Sequence, residues 1–364
     1  MVTAAGDGVS TQKRTHIDRE APLFRPFQVA GIAGLLLAAS LSHAAAQDHP
    51  WLDPKLLDAA KAEGGEMTIY SDTNEGEGLP LFKLFEAATG IKTNYVRGAD
   101  PPLMARMVVE FRGNQKSWDV AQLGTMDKIP AQLLLPFDPA EARSISPEAR
   151  DKDRRWYGLY ANYNAPAYNT QHVQAADLPK TYADFAQHKD WAGHVAIDGT
   201  DSEWLWAMYQ YYGEDKATAL IKDIVAAIQP VTTDGHLAQA RSVGSGEYWL
   251  SLNNFVNLTM NVKLAGGPID YFPLDPVALT FGAVGISAKA PHPNTALLAA
   301  NFLLSQEAQT FLAKFGRIPT RADVESNPPG IVAAISKKKV ITVLLTADEE
   351  HKWQKRFDEL FKGR

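Results

Sequence analysis

Three acids, Asp72, Glu75 and Glu77, crowd the stretch IYSDTNEGEG at positions 69–78. Acids at such spacing suggest a calcium loop, which needs an acid or amide at its fifth position, Gly at its sixth and Glu at its twelfth. Counted from Asp72, those positions hold Gly76, Glu77 and Lys83, so the loop fails three times. Gly76 and Gly78 belong to no phosphate-binding pattern either, neither G-x-x-x-x-G-K-[ST] nor G-x-G-x-x-G. What remains is a polar loop at the carboxyl end of a strand, Met67–Ser71, just ahead of a helix. Ligands of open α/β sheets bind outside such strand ends, where a helix start offers free N–H groups and a positive dipole. On this reading Ser71, Thr73 and Asn74 hydrogen-bond a ligand. Asp72 either caps the helix or receives a ligand donor, and Glu75 and Glu77 face solvent. The alternative is a plain capping turn.

The stretch DGTDS, 198–202, repeats the design. It ends a strand, His194–Asp198, and starts a helix, Glu203–Tyr212. Thr200 and Ser202 can bind a carboxylate or phosphonate through hydroxyl and backbone N–H, or Thr200 or Asp201 is a simple N-cap. Trp204 and Trp206 point to different helix faces; Trp204, nearer the helix start, is expected to wall a cleft. Thr125 follows Gly124 at the end of a third strand, Trp118–Leu123. Asn162 lies on an aromatic extended run, Tyr157–Thr170. Arg241 is the second-lobe cation for an anionic ligand, with a solvated helix arginine as the alternative. Asn253 and Asn254 sit at a further strand end.

A catalytic set is missing. The chain has no cysteine, no H-E-x-x-H, and its GISAKAP segment lacks the closing glycine of a nucleophile elbow. His172, His188, His194, His236 and His292 show no metal spacing. The expectation is no catalytic residue, no metal, no cofactor and no enzymatic activity.

These residues need elements to position them. The chain has 364 residues, 45% hydrophobic and 21% charged, with net charge −6. Length and composition suit a two-lobed globular protein, and the charge leaves no basic footprint for nucleic acid. Lys13, Arg14, Arg19 and Arg25 precede an apolar run, Val29–Leu41, and three alanines. The run is too short to span a bilayer, and the three-part pattern is a secretory signal, cleaved after Ala46 or Ala44. Strands alternate with helices in the periods of a βαβ unit from 67 to 96, with a helix at Leu79–Thr89, and again beyond 182. Extended runs at 157–170 and 269–291 connect the two patterns. The domains read as 1–46 signal, 47–160 with 272–364 first lobe, and 161–271 second lobe. Two crossings between lobes make a cleft with a hinge. Trp353, Phe357, Leu360 and Phe361 share one face of a C-terminal helix expected to pack on the first lobe.

The ordered set GGEMTIYSDT, LFKLFEAATGIKTNYV, WDVAQL, YGLYANYNAPAYNT, DLPKTYADFAQHKDWAGHVAI, VGSGEYWLSL and GISAKAPHPNTALLAANFLLSQEAQTFLAKFGRIPTR resembles the type-2 periplasmic solute-binding proteins of ABC importers. The group within them is extracellular family 1, which includes ferric-iron-binding proteins. The resemblance runs over most of the chain after the signal. It implies two α/β lobes with a central cleft and two hinge crossovers, hinge closure on a ligand, periplasmic location and delivery to an inner-membrane permease. In the iron binders two adjacent tyrosines follow a Ser-Gly-type turn, and a His and a Glu come from the first lobe. Here Gly244-Ser245-Gly246-Glu247-Tyr248-Trp249 supplies one tyrosine, and the first-lobe loop holds no histidine. By resemblance Tyr248 touches the ligand. The reading is therefore a monomeric binding component for a small polar solute, an organic anion suiting the helix starts and hydroxyls. Ferric-ion binding and a secreted enzyme on the same fold are the alternatives.

Overall fold

A computed structural model describes residues 49–362. The expected export signal lies outside the described residues. Asp53 caps α1 (Pro54–Ala62), accepting hydrogen bonds from two backbone N–H groups of the first turn. The chain continues through β1 (Glu66–Ser71), α2 (Glu75–Thr89), β2 (Lys92–Arg97), α3 (Asp100–Arg112) and β3 (Val120–Leu123). β1 pairs in parallel with both β2 and β3, so the loops after all three leave from one edge. α2 begins at Glu75, earlier than the expected Leu79, and takes both glycines into the helix. Gly78 is needed there, because a Cβ at this position would fall 2.2 Å from the Tyr95 hydroxyl oxygen. Gly90 ends the helix in the left-handed conformation at φ 74°, the usual glycine stop.

After β4 (Leu134–Leu135), the aromatic run folds as two strands: β5 (Trp156–Asn164) and β6 (Ala167–Asn169). They lie in different sheets, so the chain changes sheet at Ala165-Pro166. The second sheet adds β7 (Val195–Asp198), α4 (Ser202–Tyr212), α5 (Glu214–Ile228), β8 (Val231–Thr233), α6 (His236–Ser245), β9 (Leu250–Ser251), α7 (Val256–Leu264) and β10 (Ile269–Tyr271). Its order is β10-β6-β9-β7-β8, with β7 parallel to β8 and β9. The strand expected from Tyr248 to Asn254 is paired only at Leu250–Ser251. Beyond it, Asn253 accepts the Asp198 N–H through its side chain instead.

The return strand β11 (Val277–Ser287) lies wholly in the first sheet, so the second crossing falls between Tyr271 and Val277. It is followed by α8 (Pro293–Leu303), α9 (Gln306–Ala313), β12 (Ile318–Pro319), α10 (Ile331–Ile335), β13 (Val340–Thr342) and α11 (Ala347–Phe361). The first sheet runs β12-β5-β11-β3-β1-β2, with β4 and β13 also on β11. Ile69, Phe82, Phe85 and Phe302 centre its core. Tyr182, Phe185, Trp204, Ile221 and Phe357 centre that of the second sheet. The C-terminal helix corrects the expectation. Phe357 and Phe361 enter the second core beside Trp204, so α11 packs chiefly on α4 and α5, and only its first half, through Glu350 and Trp353, also reaches the first sheet's side. Its amphipathic face was legible, but the partner face was set by a strand and turn placing 347 beside α4.

Candidate functional site

The edge of the first sheet gathers acids around Gly124. Asp72 accepts the Gly124 N–H at 2.9 Å. A Cβ on Gly124 would lie 3.3 Å from an oxygen of both Asp72 and Asp100, so the two carboxyls meet over this glycine. Burial raises the pKa of both, and the Asp72 charge raises Asp100 further; two close carboxylates resist a second charge. Ser71 and Thr73 are buried behind them. The Ser71 oxygen accepts the Thr73 N–H and the Tyr95 hydroxyl, and the Thr73 oxygen accepts from the Gln122 amide. Gln122 Oε1 has no hydrogen-bond partner. Thr125 lies beside Asp100 with its buried hydroxyl unpartnered, and Asn74 begins α2 without a side-chain cap.

Glu77 is not in solvent as expected. It is 6% exposed and pairs with Arg317 at 2.8 Å, reached from the start of β12. The Arg317 guanidinium lies 4.4 Å from the Tyr160 ring centroid, in the range of a cation–π contact. Burial opposes the Arg317 charge, yet Tyr160, Glu77 and Asp72 hold its pKa above the ordinary value. Burial likewise pushes Tyr95 up to about 12 and Tyr160 upward, so both phenols stay protonated.

The second sheet presents its own cluster at the corresponding strand ends. Asp198, at the end of β7, accepts the Thr200 N–H and hydroxyl through Oδ1, while its Oδ2 has no hydrogen-bond partner. Asp201 caps α4 by accepting the Trp204 N–H and also accepts from the Asn164 amide. Burial raises Asp201 to about 7, against the pull of His236. The His236 ring lies over Phe255 at 3.9 Å, its nitrogens 3.9 Å from Asp198 and 3.7 Å from Asp201. Those distances exceed hydrogen-bond range. Ser202 Oγ, Asn254 Nδ2 and both side-chain atoms of Asn257 are buried and unpartnered.

β5 joins the clusters. Tyr160 touches Arg317 and Asn164 touches Asp201, four residues apart on one strand, or roughly 13 Å. Asn162 lies between them, 7% exposed, with Oδ1 unpartnered. Lys128 also links the sheets. It follows β3 and reaches Glu203 on α4 at 2.7 Å and Glu350 on α11 at 2.8 Å.

The strand-end rule thus brings together Ser71, Asp72, Thr73, Asn74 and Thr125 on one side, Thr200 and Ser202 on the other, with Asn162 between. Three expected residues stand elsewhere. Trp204 is 1% exposed, fills the second core and donates to the Tyr182 hydroxyl; it is core, and not a cleft wall. Arg241 lies on the exposed side of α6, as in the solvated alternative. Tyr248 packs on Ala240 and Val243. It precedes Leu250, which pairs with Val195 at the start of β7. Tyr248 is therefore about five residues, roughly 16 Å, from the Asp198 end. Asp100, Gln122, Lys128, Asp198, Asp201, His236 and Arg317 were not singled out as ligand residues. The strand-end rule would have found Asp100, Gln122 and Asp198, whereas nothing local marks Lys128, His236 or Arg317.

Solved structures carry the same fold. A substrate-binding protein of an ABC transporter from Agrobacterium tumefaciens matches with TM-score 0.70 and 18% identity, covering 82% of this chain and 96% of that one. The periplasmic binding protein AfuA from Actinobacillus pleuropneumoniae, with exogenous fructose-6-phosphate bound, matches with TM-score 0.68 and 22% identity over 82% and 99%. The fold is therefore that of a periplasmic binding protein. The bacterial extracellular solute-binding protein family model matches residues 81–338, and the chain belongs to that family. Among relatives, iron uptake protein A1 of Synechocystis sp. is 24% identical over 277 residues, 69% of this chain and 74% of that protein.

Proposed function

We infer that this protein is the exported substrate-binding component of an ABC importer, closing on a small polar organic solute between its two sheets. One observation carries the reading: buried, unpartnered polar atoms of Gln122, Asn162, Asn164, Asp198, Ser202 and Asn254 gather at the facing strand ends. Buried polar groups are ordinarily satisfied, and a ligand between the sheets would satisfy these. An anionic end of the solute suits the start of α7, which has no acidic residue in its first turn and no side-chain cap, with Asn254 and Asn257 beside it. The protein acts as a monomer in the periplasm after cleavage near Ala46, hands solute to an inner-membrane permease, and binds no nucleic acid.

Relatives named for iron raise a ferric reading. Hard ferric ions favour anionic ligands, and Tyr248, the tyrosine that the resemblance offers, lies at the far end of β9 from the Asp198 cluster. The enzyme reading lacks a nucleophile: among the described residues no serine or threonine hydroxyl hydrogen-bonds a histidine. Native mass spectrometry of the periplasmic protein, with metal analysis, tests the assignment. One organic solute per chain, lost on unfolding, is the expected result. Stoichiometric iron, or turnover of the bound compound, would overturn it.

A further inference from the structure

We propose that the solute carries a protonated amino group, and that Asp198 and Asp201 receive it together with the side-chain oxygens of Asn164 and Ser202. This rests on the cleft being the solute site.

The argument starts from what the cluster offers. Asp198, Asp201, Ser202 and Asn164 are each 1% exposed or less. Asp198 Oδ2, Asn164 Oδ1 and Ser202 Oγ have no hydrogen-bond partner, although the other oxygen of Asp198 and the amide of Asn164 are engaged, and each Asp201 oxygen accepts one hydrogen bond and keeps a second lone pair. Ionised carboxylates and amide oxygens only accept hydrogen bonds. The cluster thus asks an occupant for donors. An ammonium brings three N–H groups on one atom and a compensating charge. An anionic oxygen would instead face two carboxylates at close range.

Among the described residues no lysine or arginine pairs with Asp198 or Asp201. Lys362 reaches the same loop, but it donates to the Gly199 carbonyl and pairs with Asp358, and Arg241 is in solvent. Arg317 belongs to the first cluster and is engaged by Glu77. Lys128 is engaged by Glu203 and Glu350. His236 is the nearest candidate, but it stands 3.7 and 3.9 Å from the two acids, without a hydrogen bond to either. A charged ligand nitrogen in contact would form charge-assisted bonds stronger than neutral ones. Burial has raised Asp201, so that carboxyl gains from a cation beside it.

The test uses two pairs of probes that differ only in nitrogen against oxygen, taurine with isethionate and β-alanine with 3-hydroxypropionate, and adds ethylammonium chloride against sodium chloride at equal ionic strength to test the amine alone. Thermal melts and calorimetry are run on the ligand-free protein and on Asp201→Asn, whose amide can still cap α4. We expect an amino member to raise the melting temperature while its hydroxyl partner does not, and Asp201→Asn to weaken that binding at least about tenfold. Equal or better binding of the hydroxyl members would overturn the inference, as would no response to any amine, or recovery of a co-purified solute lacking an amino group. In that last case the solute-binding assignment stands. A protein that never retains any solute defeats the assignment itself.

Discussion

Lys128→Met separates a tertiary strut from a decorative surface pair. The Lys128 side chain is 2% exposed and its nitrogen touches Glu203 at 2.7 Å and Glu350 at 2.8 Å, whose side chains are 19% and 33% exposed. Glu203 and Glu350 keep the lysine charged despite burial. Removing one partner of a buried pair costs about 3–5 kcal/mol. Here both glutamates retain some access to water, so we expect the low end, about 3 kcal/mol. Methionine keeps most of the volume, so little of this is a cavity effect. The assay is urea unfolding of the ligand-free protein, at low salt and at about 0.5 M salt, where exposed pairs are screened. The loss should persist at high salt. Restoring neutrality with Glu203→Gln and Glu350→Gln in the same chain should recover most of it. Because the strut joins β3 to α4, the single variant should also bind solute more weakly. A loss below about 1 kcal/mol, the range of exposed pairs, would refute the reasoning.

Three further outcomes are expected. Asp201→Asn should leave stability unchanged near pH 4 and raise it near pH 8. The folded acid holds its proton up to about 7 while the unfolded one releases it near 3.9, so wild-type stability from this group falls as pH rises between those values, by up to about 4 kcal/mol; a variant less stable at pH 8 would contradict this. Gly78→Ala should cost about 1–3 kcal/mol by overpacking against Tyr95, and should cost nothing in a Tyr95→Ala background; equal costs in both would show that the clash is relieved elsewhere. Tyr248→Phe should leave solute affinity within about twofold, since the phenol stands roughly 16 Å along the sheet from the Asp198 end; a large loss, read by calorimetry, would return Tyr248 to the site.

Local signals determined much of this protein. Alternating strand and helix periods, with the polar turns at 71–74 and 198–202, placed the loops that face each other, because parallel strands must send their carboxyl ends to one edge. The extended aromatic run 157–170 was legible as a connection between the two patterns, but not the change of sheet within it at Ala165-Pro166. Only the tertiary structure decided which side chains share that edge. Glu77 read as a helix-start acid in solvent, and became a buried partner when Arg317 arrived from 240 residues away. Trp204 read as a wall and became core because α11 brought Phe361 against it. Tyr248 carried a family expectation, and strand direction sets it at the opposite end of β9 from the Asp198 cluster. Period and turn chemistry act within a few residues and are written locally. Charge pairing and helix docking depend on long-range approach, which no window of sequence contains.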